Sequence, residues 1–173
     1  MNNRSNITLI GMPACGKSTL GVLLAKARGM MFVDTDLLLQ QRHGQLLREI
    51  IDAQGIEAFK RMEAQVILAL DCKNACIATG GSVVYSEEAM RHLKRLSTVV
   101  FIDLPCEVVE RRIADIKSRG VVIEEGKTLP ELFRERRPLY LQYADIAVDA
   151  RSKGVEALLT EIIEMIEKEA CNR

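Results

Sequence analysis

The apolar run Ile7-Thr8-Leu9-Ile10 leads directly into Gly11-Met12-Pro13-Ala14-Cys15-Gly16-Lys17-Ser18-Thr19, and no other part of the sequence restricts the fold as strongly. The letters fit GxxxxGK[ST], and the context fits the strand before and helix after that such a loop requires. The glycines let backbone N–H groups turn inward around phosphate oxygens, and the following helix aims its positive end at the same point. Lys17 adds a point charge for the β and γ phosphates of ATP, while the Ser18 hydroxyl is placed to ligate Mg²⁺. Gly11, Ala14, Cys15, Gly16, Lys17, Ser18 and Thr19 are therefore the expected nucleotide-binding residues.

Further short runs rich in β-branched residues occur at 31–33, 75–78, 98–102 and 146–148, each bounded by Gly, Asp or Pro. With residues 7–10 they make five expected strands. Helical periodicity fills the intervals, most clearly where Val155, Leu158, Leu159, Ile162, Ile163 and Ile166 share one stripe opposite Glu156, Glu161, Glu164 and Glu167. Strands alternating with helices predict an α/β fold in three layers, a five-stranded parallel sheet between helices. At 173 residues the chain is read as one domain, 1–173. Residues 117–128 (KSRGVVIEEGKT) have two glycines, mixed charge and no period, and read as a mobile excursion.

Lys and Arg number 24 and so do Asp and Glu, so no overall field draws the chain to nucleic acid or an anionic membrane, and the expected partner is a small molecule. Five cysteines, an odd number at irregular spacing, argue against a disulfide framework and suit a reducing cytosol. The apolar run before Gly11 is too short for a signal peptide or a membrane span. A cytoplasmic monomer is expected.

Asp34-Thr35-Asp36 ends the second strand, where ligands of open α/β sheets bind. Asp34 would hold a Mg²⁺-bound water, and Asp36 would orient or deprotonate an attacking hydroxyl. The alternative is that Asp36 only caps a helix over 37–42. Phe59-Lys60-Arg61-Met62-Glu63, Thr79-Gly80-Gly81-Ser82 and Arg136-Arg137-Pro138-Leu139-Tyr140 all suit an anionic acceptor. The glycine pair permits close backbone approach, and either Arg136 or Arg137 has the fork that grips a carboxylate. Arg151, in the 151–154 stretch before the last helix, is expected at the rim of the nucleotide site.

In order and over nearly the whole chain, these motifs resemble the shikimate kinase family, small-molecule kinases of the P-loop fold. The resemblance implies ATP + shikimate → ADP + 3-phosphoshikimate with Mg²⁺. It implies Lys17, Asp36 and Arg119 as catalytic residues, Arg119 belonging to a lid over about 113–128. It further implies Arg112 stacked on adenine, and Asp36, Lys60, Gly80, Gly81 and Arg136 around the acceptor, with Ser18 and Asp34 on the metal. The sequence departs from the family pattern at Lys60, where an arginine is usual, at Ser82 for a third glycine, at Gly120 for a proline and at Ala14 for a common glycine. Those changes leave two alternatives: a kinase of another small hydroxylated acid, such as a gluconate-like sugar acid, and a nucleotide-binding module without catalysis.

Overall fold

The computed structural model describes residues 5–116 and 126–171. Among them the chain forms five strands, β1 (Asn6–Ile10), β2 (Met31–Asp34), β3 (Ala75–Ala78), β4 (Ser97–Asp103) and β5 (Ile146–Asp149), all paired in parallel in the order β2-β3-β1-β4-β5. The helices are α1 (Lys17–Arg28), α2 (Thr35–His43), α3 (Leu47–Gln54), α4 (Ile56–Leu68), α5 (Glu87–Leu96), α6 (Cys106–Ile116), α7 (Leu129–Tyr143) and α8 (Val155–Cys171). All five strands fall where the apolar runs place them. None of the helices described is long and apolar enough to cross a membrane.

Central strand β1 is buried along its whole length, so its polar residues Asn6 and Thr8 must find partners inside the fold, and Asn6 Oδ1 accepts from the Ala75 N–H at 2.9 Å. Two polar side chains inside the sheet satisfy one another, Thr8 Oγ1 lying 2.7 Å from Ser97 Oγ. Right-handed crossovers then fix the layers. The connection from β1 steps outward past β3 to β2, while those from β2, β3 and β4 run the other way across the sheet. Accordingly α1 packs with α8 on one face, and α4, α5 and α7 lie on the other. A crevice opens at the carboxyl end of β1, where it and β3 hand the chain to opposite faces.

Between β2 and β3 the chain makes three helices rather than one, and α2, α3 and α4 share a small core of their own, Leu39, Ile50, Phe59 and Val66. This subassembly overhangs the crevice. Helix α7 begins with a capping box, Thr128 Oγ1 accepting from the Glu131 N–H while Glu131 accepts from the Thr128 N–H. Its interior Pro138 has no N–H to donate, and the helix ends five residues later.

Candidate functional site

A cavity of about 480 Å³ occupies the crevice. The loop after β1 and the start of α1 form one end, with Pro13, Ala14, Gly16, Lys17, Ser18 and Thr19. Asp36, Phe59, Glu63, residues 79–82 and Arg136 form the other.

At the phosphate end the backbone takes conformations that glycine makes possible. Gly16 caps α1 at φ 102°, and a Cβ on Gly11 would stand 2.9 Å from both Cys15 Sγ and the Ile102 carbonyl. Ala14 also has positive φ, 60°, although its side chain opposes it. The Lys17 ammonium is buried and spans the loop, donating to the carbonyls of Gly11 at 2.9 Å and Met12 at 2.8 Å. Ser18 Oγ donates to Asp34 Oδ2 at 2.8 Å. Two hard oxygen donors side by side at the mouth of a phosphate loop fit Mg²⁺, which takes one or two protein oxygens and keeps several waters. Arg112 lies against the loop, its Nη1 donating to the Ala14 carbonyl at 3.3 Å, and also lines the cavity. Gly11 and the buried Cys15 shape the loop from beneath without lining the cavity.

At the acceptor end the cap of α2 is Asp34, not Asp36. Asp34 Oδ1 accepts from the N–H groups of Asp36 at 3.0 Å and Leu37 at 3.3 Å, so Asp36 is released to face the cavity. Burial, reinforced by the charge of Asp34 and opposed by Lys17, pushes the Asp36 carboxyl up to about 6.

Glu63 closes the 59–63 cluster in the sequence, which gives it no role of its own. It is buried; Oε2 accepts from Ser82 Oγ at 2.5 Å, and Oε1 has no hydrogen-bond partner among the described residues. Burial pushes its carboxyl up to about 7, against the Ser82 hydrogen bond. The signal was present: Glu63 falls on the stripe formed by Phe59, Val66 and Ile67, where a charged residue breaks the apolar face of α4. Gly80 explains itself by the same geometry. A Cβ there would stand 1.9 Å from Glu63 Oε1 and 2.9 Å from Asp36 Oδ1, so the two carboxyls meet over a residue that must have no side chain. A Cβ on Gly81 would come within 3.0 Å of Pro13 and 3.1 Å of Arg136 Nη1.

Of the two adjacent arginines, Arg136 is buried and lines the cavity. Arg137 turns away to grip Asp103 with both Nε and Nη2. The Lys60 ammonium pairs with Glu57 at 2.9 Å and does not line the cavity, and Arg61 is exposed. Arg151 is exposed, paired with Asp149 at 3.5 Å, and does not line the cavity. Arg119 and residues 117–125 of the expected lid lie outside the described residues.

Comparison with known proteins gives a consistent result. The family model described as shikimate kinase matches residues 13–167. The chain is 37% identical over 165 residues to the shikimate kinase of Aquifex aeolicus (strain VF5), covering 95% of this chain and 97% of that one. It is 36% identical over 173 residues to the shikimate kinase of Methylococcus capsulatus (strain ATCC 33009 / NCIMB 11132 / Bath), covering 97% and 96%. Among solved structures, shikimate kinase from Acinetobacter baumannii in complex with shikimate superposes with a TM-score of 0.88 at 27% identity, covering 96% of this chain and 95% of that one.

Proposed function

The chain belongs to the shikimate kinase family, and from that premise we propose how its residues divide the transfer of the ATP γ-phosphate to a shikimate hydroxyl. ATP and Mg²⁺ are the cofactors of this family, and the loop is suited to both. Backbone N–H groups of residues 14–19 cradle the phosphates at the positive end of α1. Ser18 and Asp34 would hold Mg²⁺, which when bound supplies charge neutralisation for the β and γ phosphates. Lys17 provides the adjacent fixed cation, and Arg112 borders the nucleotide. Arg119, which the resemblance adds to the catalytic residues, lies outside the described residues.

The acceptor hydroxyl is oriented by Asp36. Its carboxyl, raised to about 6, is mostly ionised at neutral pH yet basic enough to take the proton as the oxygen–phosphorus bond forms. Arg136, buried with Nη1 beside Gly81, takes the acceptor's carboxylate. Gly80 and Gly81 bring backbone against the ring. This reading takes the chain as a cytoplasmic monomer acting on a small acid.

The observation that carries the reading is the meeting of Asp36, Glu63 and Arg136 around Gly80 and Gly81, across the cavity from Lys17. A coupled ADP-release assay over a panel of hydroxylated acids, gluconate included, tests it. Shikimate is expected to be the best acceptor, and Arg136→Ala should raise its KM about 10–150-fold, the value of a hydrogen-bonded charge partner. No ADP release with shikimate, or a preference for another acid, overturns it.

A further inference from the structure

Behind the cavity wall stands Tyr85, the last residue of the 3₁₀ turn Val83–Tyr85 that follows the glycine pair. Its hydroxyl accepts from Arg136 Nε at 3.1 Å. Its ring carries two cations, the Arg136 guanidinium carbon 5.1 Å from the centroid and the Lys60 ammonium 4.7 Å from it. No part of the phosphoryl-transfer chemistry requires an aromatic residue here, and the sequence motifs do not include it.

The geometry of guanidinium gives the arrangement a consequence. Arg136 has N–H donors on three nitrogens in a fixed fork. With Nε committed to Tyr85, the edge directed to a planar anion is the Nη1–Nη2 pair; Nη1 is the atom beside Gly81 at the cavity, and the guanidinium also approaches the buried Tyr140 hydroxyl. The ring also holds two like charges that would otherwise repel, since each is drawn to its π-electron density. Lys60 also pairs with Glu57 at 2.9 Å and does not line the cavity, while its ammonium shares the Tyr85 ring with the guanidinium.

We infer that Tyr85 is a positioning residue for acceptor recognition: it turns Arg136 so that the Nη edge faces the acceptor's carboxylate, and it holds Lys60 on the same ring. The acid is then gripped by one arginine, with a second cation supporting it from outside. This rests on Arg136 as the carboxylate's partner, and the experiment separates the two claims.

Steady-state kinetics of Tyr85→Phe and Tyr85→Leu, each in wild-type and Arg136→Ala backgrounds, give the test. Loss of the hydroxyl alone should lower kcat/KM for shikimate about 3–10-fold, and loss of hydroxyl and ring about 10–50-fold, carried by KM for the acid and not by KM for ATP. In the Arg136→Ala background the same changes should cost less than about 2-fold, because the group that Tyr85 aims is gone. Equal losses in both backgrounds, or losses confined to kcat, would mean a merely structural ring and overturn the inference. A normal Arg136→Ala enzyme would instead sink the carboxylate assignment itself. Should Tyr85→Leu fail to fold, Tyr85→Phe, which keeps the ring and its volume, decides alone.

Discussion

The phosphate end of the crevice comes from one continuous segment, residues 11–19, and works largely through backbone N–H groups. The acceptor end is assembled from side chains on α2, α4, the β3–α5 connection and α7. The first concentrates positive potential on a polyanion with little burial of charge beyond Lys17. The second buries two carboxyls and an arginine within reach of one another. A loop of backbone dipoles serves any nucleoside triphosphate; only the side-chain cluster can distinguish acceptors. Changes at the two ends should therefore fail differently, and the strongest test is one in which nucleotide binding survives while transfer is lost.

Asp36→Asn should do this. The amide keeps the shape but cannot take a proton, and general-base catalysis contributes about 10²–10⁴-fold, so kcat should fall by that factor. Affinity for ATP, measured by calorimetry, should move less than about 3-fold, because the cap of α2 is made by Asp34 and not by the substituted residue. In the parent enzyme, kcat/KM should fall with unit slope as pH drops below about 6, where Asp36 takes up its proton. An unchanged acid limb in Asp36→Asn would remove it from the role.

The same contrast explains what could be read from sequence. All five strands and the phosphate loop were legible because each is a local pattern, an apolar run or a fixed spacing within nine residues. At the acceptor end the sequence offered Asp36, Gly80, Gly81 and Arg136 as candidates. Residue chemistry alone left Arg136 and Arg137 equal, only the family resemblance favouring Arg136, and Asp34 gave no sign of being the cap of α2. Those outcomes depend on distant partners: Asp103 draws Arg137 away, and Ser18 at 2.8 Å shares the Asp34 that caps the helix. The resemblance places Lys60 at the acceptor, yet Glu57 and Tyr85 hold its ammonium, and it does not line the cavity. The Glu63–Ser82 bond spans nineteen positions, with no local sign that the serine standing for a glycine serves a buried acid.

Glu63 supplies the second test, on stability rather than rate. Its carboxyl rises from 4.5 in the unfolded chain to about 7 in the fold, so the native state holds a proton that the unfolded state releases between those values. Stability should fall as pH rises through that window. About 2.5 pK units correspond to a cost on the order of 3 kcal/mol above pH 7, and Glu63→Gln, neutral at every pH, should recover much of it. Thermal unfolding should thus show the variant gaining on the parent from pH 5 to pH 8. A constant difference between them would mean that Glu63 is already ionised when folded, its Oε1 satisfied in a way the cavity does not show.

The smallest effect belongs to the phosphate end. Ala14 occupies φ 60°, where a Cβ crowds the backbone at about 1–2 kcal/mol and glycine does not. Ala14→Gly relieves that strain but adds freedom to the unfolded chain, worth about 0.4–1 kcal/mol in the opposite direction. The net gain should be about 0.5–1 kcal/mol, which for a chain of this length raises Tm by about 1–4 °C. The variant also sharpens the comparison between the two ends. A loop that acts through backbone should register a missing methyl only in its conformational strain, so the gain in Tm should be the same in the Glu63→Gln background, the two sites sharing no partner. A melting temperature that falls in Ala14→Gly would show that the methyl contributes packing at the cavity wall, and the phosphate end would then depend on its side chains as the acceptor end does.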